Sequence, residues 1–178
     1  MKHRTIQELI RSINHYFDNT HHIIKRQKSL NSLEKSLIDK SKIYKDNINK
    51  IQEQYSTKRF KLIINHENYE LVACSVAARG KKYSSFGTSY RLLPIHKYLK
   101  PTKALLRNLG VIGNQSLITN TSNIIGKCAE VKAINNIFKR ESKLSVFDVT
   151  FTQAIRPRTL EKIPRCQNCT LIFGNENE

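Results

Sequence analysis

The chain has 178 residues, with 31 Lys plus Arg against 14 Asp plus Glu, for a formal net charge of +17. That length suits one domain with a helical appendage, and the composition excludes collagen-like and acidic disordered chains. No apolar run approaches the roughly 20 residues of a membrane span. The basic start, Met1 to Ile10, lacks the continuous apolar stretch of a secretory signal, so delivery out of a cell calls for a specialised export system or a longer parent chain.

Thr5 followed by Glu8 forms a capping box, and Ile6, Leu9, Ile10, Ile13 and Phe17 then make one apolar stripe, predicting a first helix. A second helical pattern begins near Ser29 and carries Leu30, Leu33, Leu37, Tyr44, Ile48, Ile51 and Tyr55. Residues 1–58 are therefore expected to be an N-terminal helical hairpin, with a second domain over 59–178. Phe60 to Ile64 and Tyr69 to Val76 are β-rich runs joined by a turn at Asn65 to Asn68, and Lys81 to Phe86 returns as a third strand after Gly80. A short helix is expected around Lys103 to Leu109, and a longer one over Cys128 to Arg140. Ser145 to Phe151 reads as a strand carrying Asp148 as an ordinary structural acid, and Arg156 to Pro164 as a loop.

The charge is unevenly spread. No acid occurs between Glu70 and Glu130, yet Arg79, Lys81, Lys82, Arg91, Lys97, Lys100, Lys103, Arg107 and Lys127 all lie there. A coding bias toward lysine explains the cations but not the missing acids. Such a stretch favours a polyanion, because each neutralised phosphate releases condensed counterions. The first eight of these cations are the candidate nucleic-acid contacts.

The four cysteines, Cys74, Cys128, Cys166 and Cys169, are too few for a disulfide scaffold. Lys127-Cys-Ala-Glu130 opens a helical pattern, and Pro164-Arg-Cys-Gln-Asn-Cys169 follows downstream. Three thiolates, from Cys128, Cys166 and Cys169, leave a tetrahedral zinc one open position, where a bound water ionises near neutral pH. Glu130, two residues after a ligand, is placed to move that water's proton. A helix N-terminus favours the thiolate at Cys128. Two other readings of the same spacing stay open: a closed structural zinc with Cys74 or a histidine as fourth ligand, and a redox dithiol. The six histidines are scattered and none has ligand spacing to another ligand.

The two motifs together match the zinc-deaminase signature of C-x-E followed by P-C-x-x-C, with Arg165 displacing the proline by one place. Gly126 to Val131 and Pro164 to Cys169 resemble the YwqJ-like deaminases of bacterial polymorphic toxins, a branch of the cytidine deaminase superfamily. The resemblance covers roughly residues 65–175 and rests on those two motifs. It implies a three-layer α/β/α sandwich with a central mixed sheet, preceded by the helical segment. It implies Zn2+ on Cys128, Cys166 and Cys169, catalysis by Glu130, action in a target-cell cytoplasm, and a cognate immunity protein.

The expected function is a zinc-dependent deaminase acting on cytosine in single-stranded nucleic acid. The competing expectation is a non-catalytic basic nucleic-acid-binding protein with a structural zinc. A metabolic deaminase of free nucleosides has no need of so basic a surface.

Overall fold

The computed structural model describes residues 27–46, 73–89, 91–157 and 159–175. The predicted first helix, the strand at Phe60 to Ile64 and the first half of the run from Tyr69 to Val76 lie outside the described residues, as do Ile48, Ile51 and Tyr55 of the second helical pattern. The chain divides into two compact units, Met1–Ser32 and Leu33–Glu178. Residues 27–46 form one helix, α1, which crosses that division. All further elements belong to the larger unit. No helix among the described residues is long and apolar enough to cross a membrane.

The larger unit is α/β. Strand β1 (Ser75–Arg79) is central and pairs antiparallel with β2 (Ser84–Thr88) through a tight turn in which Gly80 N–H donates to Tyr83 O at 2.8 Å. Strand β1 alternates its faces in the ordinary strand period. Val76 and Ala78 meet helix α3 (Ala129–Arg140), while Ala77 meets Leu33 and Leu37 of α1 together with Ile155. A helix therefore covers each face of the sheet. The small side chains of β1 and Gly87 of β2 let α3 approach closely: a Cβ at Gly87 would lie 1.9 Å from Ala129 O.

On its other side β1 pairs with β3 (Thr150–Phe151) and β4 (Ala154–Ile155), and β4 pairs with β5 (Lys162–Ile163). Ala78 opposes Phe151 whereas Ser75 opposes Ile155, so one extra residue is accommodated between β3 and β4 as a bulge. Thr152 bridges the irregularity: its N–H donates to Ala77 O at 2.9 Å, and its Oγ1 accepts from Ala77 N–H at 3.1 Å.

Every strand pairing among the described residues is antiparallel, which corrects the expected mixed sheet. The physical reason is where the chain re-enters. Helix α3 ends at the β1–β2 turn, where the Glu141 carboxylate accepts from the backbone N–H groups of Lys81, Lys82 and Tyr83. Thr150 consequently enters opposite Arg79, at the C-terminal end of β1, and can only run back along it.

Three other expectations change. Ser145–Phe151 is not one strand: Val146–Asp148 is a 3-10 turn, closed by reciprocal Ser145 and Asp148 caps, and only Thr150–Phe151 pairs. Asp148 keeps a structural role there and also meets Lys81 at 3.4 Å. The third strand starts at Ser84 rather than Lys81, because residues 80–83 are spent on the turn. The loop from Arg156 to Pro164 contains β5. The helix expected near Lys103 is α2 (Lys100–Leu106), continued by a 3-10 turn to Leu109. It is stitched to α3 by buried Asn135, whose Oδ1 accepts from Leu99 N–H and Thr102 Oγ1.

Candidate metal centre and the cavity it faces

Two helix starts build the centre. Cys128 is the N-cap of α3, and Cys166 is the N-cap of α4 (Gln167–Phe173), both with extended backbone and neither spending its side chain on a capping bond. The turn before Cys128 is held by buried Tyr98, whose hydroxyl donates to Gly126 O at 2.9 Å and accepts from Leu93 N–H. Gly126 sits at φ +89, a conformation that favours glycine, and a Cβ there would meet the Tyr98 hydroxyl at 3.0 Å. Cys128 and Cys169 belong to one apolar cluster with Tyr98, Leu106, Leu109, Ile125 and Val131. The core itself thus fixes two of the three sulfurs.

The Sγ atoms of Cys128, Cys166 and Cys169 all lie within 4.8 Å of one another, with Cys128 and Cys166 at 3.5 Å. These three cysteines can bind a metal ion. No fourth His, Cys, Asp or Glu joins the group among the described residues. All four cysteines are free thiols, and Cys74 stands apart from the trio. The sulfurs share protons unequally. Contact with Cys128 and then Cys169 holds Cys166 well below the ordinary thiol range, while the same sulfur cluster, together with burial, pushes Cys128 and Cys169 up. Thiolate is the form that ligates metal, so the cluster is biased toward one.

Glu130, in the first turn of α3, is buried beside the sulfurs. Burial pushes its carboxyl above the ordinary range, and charge on Cys166 adds to that, while Arg165 opposes it. Burial and Glu130 likewise raise the Cys74 thiol. Lys132, two residues further along α3, donates to Thr88 O at 2.7 Å, and burial, followed by the charge of Lys127, brings its ammonium down to about 8.

Cys128, Cys166 and Glu130 lie on the wall of one cavity of about 610 Å3. Cys74, Ser89, Ser122, Asn123, Lys127 and Arg156 are among its other lining residues. That volume is in the range of ligand pockets, roughly 300–1,000 Å3. None of the eight cations proposed from sequence as nucleic-acid contacts lines it. Arg79, Lys81, Lys82, Arg91, Lys97, Lys100 and Arg107 are exposed elsewhere on the unit, and Lys103 is half-buried. The cations at the cavity are Lys127 and Arg156, the latter also 3.4 Å from Glu161.

Two further residues of the site were not singled out from sequence. Asn168, between the last two cysteines, is buried: its Nδ2 donates to Asn123 O at 3.0 Å and its Oδ1 accepts from Thr119 Oγ1. It thereby ties α4 to the segment that forms one rim of the cavity. Arg165 buries its guanidinium behind Glu130. The available signal was its position directly before a candidate ligand.

The chain matches no protein-family profile, no curated protein and no solved structure.

Proposed function

We propose that the chain is a zinc-dependent deaminase that converts a base, with cytosine favoured, in single-stranded nucleic acid. One observation carries the reading: two cysteines of a three-cysteine cluster, Cys128 and Cys166, share with the buried Glu130 carboxylate the wall of a cavity large enough for a nucleotide. A purely structural centre has no use for a carboxylate there. The donor set suits zinc. Tetrahedral zinc–sulfur bonds of about 2.3 Å place sulfurs roughly 3.8 Å apart, close to the 3.5 Å between Cys128 and Cys166. The motif resemblance to toxin deaminases supports the same reading and extends it to an effector with a cognate immunity protein.

Cys128, Cys166 and Cys169 would hold the metal, which when bound makes water acidic enough to act as a nucleophile near neutral pH. Water oxygen adds to the ring carbon bearing the exocyclic amine. Glu130 takes a proton from that water and passes it to the ring nitrogen. It then delivers the second proton to the amine, which leaves as ammonia while the carbonyl of the product forms. A buried carboxyl with a raised proton affinity is suited to both transfers. Lys127 and Arg156 line the same cavity, and in this reading they would meet the phosphate of the same nucleotide unit. A single strand presents its base without the cost of extrusion from a duplex.

Glu130→Gln tests the reading, since it preserves size but cannot carry a proton. The variant should retain zinc and fold while base conversion, read by sequencing of exposed single-stranded DNA and RNA, falls at least about 100-fold. Equal conversion by both proteins would remove Glu130 from the chemistry. Zinc retention with no conversion by the wild type would favour the structural-zinc binding protein instead.

A further inference from the structure

Arg165 is placed where a surface cation would ordinarily not be. Its side chain is 7% exposed and that of Glu130 5%, with Nε 4.0 Å from Glu130 Oε1. The far end of the guanidinium faces the other way: Nη1 donates to Gly174 O at 2.7 Å and Phe173 O at 3.5 Å, the carbonyls of the C-cap and the last residue of α4. Its central carbon lies 5.5 Å from the Phe151 ring centroid. Nε is the one buried side-chain N or O atom among the described residues without a hydrogen-bond partner, and the nearby acid is Glu130.

The charges explain why a guanidinium belongs here. Three thiolates exceed a dication by one negative charge, and an ionised Glu130 adds another on a side chain that is 5% exposed. Two uncompensated negative charges in such a place are costly. Arginine stays charged even when buried, and its planar fork can address two ends of a site at once. Lysine could supply the charge but not both contacts.

We propose that Arg165 is the positioning residue of this centre, a built-in counter-ion that holds the Glu130 carboxylate beside the sulfur cluster while clamping the C-terminus of α4. The residue that displaces the proline of the second motif is then what lets a carboxylate coexist with three sulfurs. The pairing stands on geometry alone, and only its catalytic consequence rests on the proposed deamination.

A double-mutant cycle on the full zinc-loaded chain, read by thermal melting, measures the pairing without reference to activity. Arg165→Met should lower Tm by about 5 °C or more, because it strands a buried carboxylate. In the Glu130→Gln background the same substitution should cost less than half as much. Loss of the α4 clamp alone predicts equal cost in both backgrounds, and that result would overturn the proposal. Should Arg165→Met fail to fold, Arg165→Gln takes its place in the cycle, since it keeps a donor toward Gly174 O. Where the wild type deaminates, Arg165→Met should lower kcat about 10–100-fold with KM little changed, and Arg165→Lys should recover part of it. An additive cycle in a deaminating protein sinks the counter-ion and leaves the function standing. A non-additive cycle in a protein without base conversion does the reverse.

Discussion

The two helices that meet at the sulfur cluster are held by different forces. Helix α3 has 12 residues, nine of them buried, while α4 has seven with only Asn168 and Cys169 buried. Both begin on a cysteine in extended conformation. The start of α3 is seated by packing: Ala129 and Ala133 lie against Gly87, and Ile134, Ile137 and Phe138 share a core with Ala78 and Val149. Helix α4 sets Cys169 into the apolar cluster, with Ile172 and Phe173 packed at its edge, and adds polar ties from Asn168 to the 119–123 segment and from Arg165 to Gly174 at its C-terminal end. A helix this short is not stable on its own propensity. One wall of the site is therefore preformed by the core, and the other is completed by side-chain bonds and by whatever ion the sulfurs share.

The harshest way to break this contrast is at the preformed wall. Gly87→Ala would drive a Cβ to 1.9 Å from Ala129 O and 2.8 Å from Ala133 N, both backbone atoms that cannot step aside cheaply. We expect a loss of at least about 3 kcal/mol in urea denaturation, or no folded protein. A near-neutral result would mean that the core does not seat α3 as described. The next test is metal removal. Chelation should raise hydrogen exchange at Gln167–Phe173 at least about tenfold while leaving Ala133–Arg140 protected. Loss of protection in both helices together would abolish the distinction. The mildest is Asn168→Ala, which strands Asn123 O and should cost about 1–3 kcal/mol. Zinc content should be unchanged, because every sulfur remains, and a protein that loses its metal would show the tie to be more than a rim support.

This same division governs how much could be read from residues alone. The start of α3 was legible because Ala129, Val131, Ala133, Ile134 and Ile137 repeat at helical spacing directly after a cysteine. The cysteine trio was legible because C-x-E and C-x-x-C are short patterns with a coordination reason behind them. The turn at Gly80 followed from its glycine. The segment after α3 was misread because Val146, Phe147 and Val149 have strand composition, whereas Ser145 and Asp148 cap each other and leave Phe147 89% exposed. Thr152 bonds Ala77 across 75 residues of chain, a pairing no local window contains. The charge count found an acid-free stretch rich in cations, but which cations reach the cavity depends on the fold, which brings Lys127, before α3, and Arg156, after β4, to one wall. In the sequence Arg165 reads as an interruption of a motif, since only burial and its distance to Glu130 reveal a partner.

The bulge beside Thr152 also has a kinetic consequence. The β1–β2 hairpin closes through four residues, so it forms on the timescale of local contacts. The bulged edge returns to β1 only after the whole intervening chain is gathered, and that larger loop-closure entropy delays it. Cys166 and Cys169 lie beyond this edge and reach Cys128 only once it has docked. Assembly of the sulfur trio is then a late folding event, and an ion arriving there selects chains whose sheet is already complete.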